Sequence, residues 1–143
     1  MNIQELSQVN AKWNEKITYV SDDEKYNTIE QWEDAIEKGY AGDCEDYAIA
    51  KLHELLRIGW PIERLRLTFC WVGAERDNEG HAVLVVEYNN QLWVLDNRFK
   101  PVREVTDCTD YVWNTCQEVG GSKVWVPCSE VFSKFYDSTV EPE

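Results

Sequence analysis

A single thiol, Cys44, lies among carboxylates in the run Gly42-Asp43-Cys44-Glu45-Asp46-Tyr47-Ala48. One of the chain's two histidines follows in Gly80-His81-Ala82-Val83-Leu84, and an aspartate follows in Val94-Leu95-Asp96-Asn97. In that order they supply a nucleophile, a general base and a group to orient the base, the parts needed for acyl transfer through a thioester. A thiol attacks as its thiolate, which forms near neutral pH only when an imidazole or the positive end of a helix stabilises it. Cys44 at a helix start, partnered by His81, has both. Asp43, Glu45 and Asp46 oppose this, because neighbouring negative charge raises a thiol pKa. An imidazolium or a bound cation must offset them.

Oxygen ligands from Asp43, Glu45 and Asp46 suit a hard metal such as calcium, which takes ~6 to 8 oxygens. The spacing is not that of the EF-hand loop. The plain alternative is a helix start in which Asp43 caps and Asp46 occupies the first turn, where acids are favoured without any metal. His53 lies on the same expected helix as Cys44, nine residues on. At ~100° per residue it points to the opposite side, which leaves His81 as the available base. Asp96 reads alternatively as a turn residue, and Asn97 can take the orienting part if Asp96 points away. The backbone N–H of Cys44 is the simplest oxyanion donor, with Trp32 a candidate for the second. Cys70, Cys108, Cys116 and Cys128 form no CxxC pair, which argues against a zinc ribbon. They are expected to be structural and reduced rather than paired in two disulfides. Glu75, Arg76, Asp77 and Glu79 form a solvated loop before His81, the place where a lid over the site would be built.

These residues need elements to position them. Ile3, Leu6, Val9, Trp13 and Ile17 recur at helical spacing. A second helix is expected from Thr28 and Gln31, a capping box, with Ile29, Trp32 and Ile36 on one face and Gly39 at its end. A third begins at Asp43 or Cys44 and runs to about Ile58, where Gly59 and Pro61 stop it. Leu65 to Val72 alternates as a strand, Gly73 to Gly80 is polar loop, and His81 to Tyr88 reads as a buried strand. Asn89-Asn90 is a tight hairpin turn and Gln91 to Leu95 the return strand. If Tyr88 faces Gln91, His81 lies seven residues back along one strand and Asp96 five residues on along the other, so the two ends lie near each other. Further on, Val102 to Val105 and Lys123 to Val126 read as short strands, Gly120-Gly121 as a turn, Ser129 to Tyr136 as a short helix and Val140 to Glu143 as a frayed tail.

The 143 residues suit one domain spanning 1–143. Hydrophobic residues make up 43% of the chain, seven of them Trp, enough for a packed core and cleft walls. With 27 acidic against 14 basic residues, the net charge of −13 repels phosphate backbones and anionic lipid. Nucleic-acid binding is therefore not expected. No apolar run is long enough to span a membrane, and the first twenty residues hold no secretory apolar segment. As written the chain is expected in the cytoplasm, or in the periplasm if a leader has been removed.

The Cys44 motif, with Lys51 and the run Gly59-Trp60-Pro61-Ile62-Glu63-Arg64-Leu65-Arg66, resembles the bacterial transglutaminase-like cysteine proteinases. These are the LapG-type enzymes that release biofilm adhesins from the cell surface. The resemblance continues through His81-Ala82-Val83-Leu84 and Val94-Leu95-Asp96-Asn97, and covers roughly residues 9 to 105. It implies an α+β, papain-like or transglutaminase-like fold, in which N-terminal helices pack on an antiparallel β-sheet and the cysteine starts a helix. It further implies Cys44 as nucleophile, His81 as base, Asp96 as orienting acid, and calcium around Asp43, Glu45 and Asp46. A cysteine endopeptidase acting on a protein or peptide, of bacterial or phage origin, is the expectation. Two alternatives stay open: an amidase or acyltransferase using the same triad, and a calcium-dependent binding module whose triad is non-functional.

Overall fold

The computed structural model describes residues 1–16, 18–19, 41–42, 44–72 and 79–136. The expected second helix at 28–39, Trp32, Asp43, most of the loop before His81 and the C-terminal tail lie outside the described residues.

Helix α1 spans Ile3–Lys16. Asn2 caps it, its side-chain oxygen accepting from the Glu5 N–H at 2.9 Å. Strands β1 (Thr18–Tyr19) and β2 (Ala41–Gly42) form a short parallel pair. Helix α2, Cys44–Arg57, follows almost at once. Gly59, at φ +109°, turns the chain out of this helix, and the Trp60 N–H bonds back to the Leu55 carbonyl at 2.9 Å. A left-handed residue at that position satisfies a carbonyl the helix would otherwise leave open.

Six strands make the main sheet: β3 (Leu65–Val72), β4 (Glu79–Tyr88), β5 (Gln91–Leu95), β6 (Arg103–Glu104), β7 (Tyr111–Gln117) and β8 (Trp125–Pro127). Their spatial order is β6-β5-β4-β3-β7-β8 and every pairing is antiparallel. Asn89 and Asn90, at φ +59° and +64°, close the β4–β5 hairpin, two left-handed residues whose twist matches the strands. The short helix α3, Cys128–Phe132, follows β8.

Because side chains alternate along a strand, the sheet has two apolar faces. On one, Leu65, Leu84, Val86 and Leu95 pack beneath Leu6, Val9, Ala48 and Leu55 of the first two helices, with Trp60. On the other, Cys70, Val83, Val85, Val94 and Cys116 pack with Tyr111 and with Cys128 and Val131 of α3. Each fully buried aliphatic side chain contributes roughly 1.5–3 kcal/mol relative to exposure. The result is an α+β fold, helices on an antiparallel sheet.

Three expectations shift. Strand β4 starts at Glu79 rather than His81, since Val72–Glu79 and Trp71–Gly80 extend the ladder and draw two residues out of the loop. Strand β7 was not anticipated: Asn114 breaks its alternation where the pairing with β3 slips between Phe69 and Cys70. The C-terminal helix is only Cys128–Phe132 and continues as turns. Among the described residues no helix is long and apolar enough to cross a membrane.

Candidate active site

Cys44 is the first residue of α2 and is partly exposed. The Ala82 N–H donates to its sulfur at 3.3 Å, so the thiol rests against the residue that follows His81 on β4. One step past the Leu84–Leu95 pair, Asp96 falls opposite Val83, diagonal to His81 on the same face. Diagonal neighbours are within reach of long side chains. Asp96 Oδ1 and His81 Nε2 meet at 2.8 Å.

Asp96 is fully buried and His81 is 7% exposed. The carboxylate also accepts from the Arg98 N–H at 2.9 Å and from the Tyr111 hydroxyl, and Arg103 Nη2 stands 3.8 Å away. Burial by itself raises the Asp96 pKa, but the hydrogen bond and charge of His81, with the Tyr111 hydroxyl and Arg98 N–H, outweigh it and hold the group below the usual carboxylate range. An ionised Asp96 accepts only, so Nε2 carries the ring proton and Nδ1 is the nitrogen able to accept one. Tyr111 has its pKa raised, first by burial and then by Asp96, which keeps it a donor. Arg98 Nη1 donates to the Tyr111 oxygen at 3.1 Å, and the tyrosine ring meets His81 edge-on at 5.8 Å between centroids.

Neither Tyr111 nor Arg98 was singled out from sequence. Tyr111 opens the unanticipated strand, and nothing local marks it. The Arg98 contact had a signal: an aspartate accepting from the N–H two residues on is a common turn. Asn97 does not take the orienting part, since its buried Oδ1 has no hydrogen-bond partner. His53 is exposed on α2.

A buried polar network ties the cysteine helix to the aspartate. Lys51 of α2 is fully buried, with Nζ 2.7 Å from both Asn10 Oδ1 and Asn14 Oδ1 on α1. Asn14 Nδ2 donates to the Asp96 carbonyl at 3.0 Å, and Asn10 Nδ2 to those of Phe99 and Lys100 at 3.0 and 2.9 Å. The sequence carried a hint, because Cys44, Ala48, Lys51 and Leu55 share one helical stripe. Burial drops the Lys51 pKa to about 7, with Asp96 pulling partly the other way. Between that value and its ordinary 10.5, the unfolded chain binds the extra proton, so this group makes stability rise with pH. The slope is at most about 1.4 kcal/mol per pH unit. Urea unfolding at pH 7.0 and 8.5 is expected to show the wild type gaining about 1–2 kcal/mol relative to Lys51→Met. Equal pH dependence of the two proteins would contradict this role for Lys51.

Of the expected metal ligands, Glu45 is half-buried and Asp46 fully buried in the first turn of α2, and Asp43 lies outside the described residues. Among the described residues no group of three or more His, Cys, Asp or Glu side chains is placed to hold a metal. None of the five cysteines is in a disulfide. Cys70 sits directly across from His81 on β3, nearer a base than its sequence surroundings indicated. Burial, with Asp96 adding, pushes its thiol up to about 12. Burial likewise takes Cys108 to about 11. Cys128 is raised by its hydrogen bond with the Cys116 thiol and then by burial. Cys44 is the one cysteine of the five that is not buried.

The structure of Legionella pneumophila LapG superposes with a TM-score of 0.67 at 22% sequence identity, over 94% of this chain and 75% of that one. Its calcium-bound form matches at 0.64 and 21% identity, over 96% and 78% of the two chains. An EGTA-treated form also matches at 0.64 and 21%, over 94% and 75%. No curated protein sequence matches the chain. The sequence profile of the bacterial transglutaminase-like cysteine proteinases matches residues 1–131. The chain therefore belongs to that family and is a cysteine peptidase.

Proposed function

We propose that this protein is a calcium-dependent endopeptidase that cleaves a protein substrate through Cys44, His81 and Asp96. The observation that carries the reading is the buried 2.8 Å His81–Asp96 bond, at the strand position just before the amide that contacts the Cys44 sulfur. His81 Nδ1 takes the thiol proton, and the thiolate, favoured by the positive end of α2, attacks the scissile carbonyl carbon. The Cys44 N–H, at the start of the helix, donates to the developing oxyanion. His81 returns its proton to the leaving amine as the C–N bond breaks and a thioester remains. Water, deprotonated by His81, then attacks the thioester, and Cys44 leaves with the proton restored. Asp96 holds the ring in this tautomer and stabilises the imidazolium.

Asp43, Glu45 and Asp46 would hold the calcium. Their hard oxygens are of the right chemistry for calcium. That a calcium-bound form of the similar LapG structure exists supports a role for calcium here. When bound, the ion supplies positive charge that offsets carboxylate repulsion at the nucleophile. Chelation is therefore expected to lower the melting temperature. The loss is about 3 kcal/mol at a hundredfold excess over Kd, or roughly 8 °C for a chain of this size. An unchanged melt would favour the helix-capping reading of these acids.

The direct test is digestion of unfolded casein with and without a primary amine, followed by mass spectrometry. New N-termini that require Cys44 support hydrolysis of peptide bonds. Amine incorporation without new N-termini would overturn it in favour of acyl transfer.

A further inference from the structure

Strand β4 carries the inference. Leu84 and Val86 lie under the helices, and Ala82 and Gly80 continue the same face. Cys44, the first residue of α2, accepts from the Ala82 N–H at this end of β4. Beyond that point the face bears Phe69, which pairs with Ala82, and Trp71, which pairs with Gly80. Val112 of β7 lies opposite Trp71, and Trp125 of β8 packs on Phe69 with ring centroids 5.4 Å apart. Trp71, Val112 and Trp125 are 42%, 47% and 40% exposed. The Trp71 ring extends over Gly80, 3.7 Å from where a Cβ would stand, which is van der Waals contact distance.

Exposed apolar side chains scattered singly need no explanation, but a contiguous group beside a nucleophile does. None of the four is charged, in a chain whose net charge is −13. An acidic substrate segment meets repulsion from the protein as a whole and no cation among these four residues. An apolar one removes its own surface and that of two indoles from water, at about 25 cal/mol per Å².

We propose that Phe69, Trp71, Val112 and Trp125 form the substrate platform. It selects a peptide with an aliphatic or aromatic side chain within two residues of the scissile bond and rejects Asp and Glu there. Trp71 is the principal determinant, being the exposed indole on β3 opposite Gly80, the residue before His81. The assignment rests on the peptidase reading of Cys44.

The test is the cleavage profile of a proteome-derived peptide library, read by mass spectrometry on both sides of each cut bond, for wild type, Trp71→Ala and Val112→Glu. At one position within two residues of the cut, the wild type is expected to favour apolar residues over Asp and Glu at least tenfold. Trp71→Ala should reduce that ratio at least fivefold, and Val112→Glu should admit Lys and Arg. A flat wild-type profile, or a preference that neither variant moves, overturns the platform while leaving the peptidase standing. No cleavage of the library by the wild type overturns both.

Discussion

Replacing Cys44 with alanine is expected to abolish peptide hydrolysis, lowering kcat/KM by at least about 10⁴-fold. Stability should change by about 1 kcal/mol or less, because the residue is partly exposed and alanine suits a helix start. The same four buried cysteines remain in the variant, so its residual activity tests whether any of them substitutes. With Cys70 at about 12 and Cys108 at about 11, neither offers thiolate near neutral pH. His81→Ala removes the base and should cost about 10²- to 10⁴-fold. Activity near the wild-type level in either variant would sink the mechanism.

Asp96→Ala is expected to damage both activity and fold. The change strands His81 Nε2, the Tyr111 hydroxyl, the Arg98 N–H and the nearby Arg103 guanidinium. Breaking a buried charged cluster on one side costs about 3–5 kcal/mol. Asp96→Asn keeps an oxygen acceptor of the same shape and should be clearly milder on chemical denaturation. The pH signature follows from the depressed pKa of Asp96. Its contribution is present above the unfolded carboxylate pKa of ~3.9 and is lost as pH falls through the folded value. Acid unfolding of Asp96→Asn should therefore be shallower than that of the wild type below about pH 4. Superimposable acid transitions would show that the carboxylate is not held as described.

How far the sequence could be read depended on whether a residue's role was local. The Asn89-Asn90 turn fixed the β4–β5 register, and counting along two strands from it sufficed to bring His81 and Asp96 together. Helix periodicity and Gly59 did the same for α1 and for the helix that starts at Cys44. Contacts between distant segments left no such trace. Tyr111 reaches Asp96 from a strand whose alternation is broken by Asn114, and Lys51 meets Asn10 across 41 residues of chain. A lysine amid Ala48, Ile49, Ala50 and Leu52 reads as an ordinary exposed charge until its stripe is drawn. The open face around Trp71 depends on where α2 ends relative to the sheet, which no window of sequence reports.

The most direct test of the central claim is the rate of Cys44 alkylation by iodoacetamide, located by mass spectrometry, across pH 5 to 9 in wild type and His81→Ala. The account predicts fast reaction at Cys44 persisting well below the ordinary thiol pKa of ~8.5, a shift toward that value in His81→Ala, and no reaction at the four buried cysteines until the chain unfolds. Cys44 reactivity that follows an ordinary thiol titration in both proteins would contradict an activated nucleophile, and with it the peptidase mechanism.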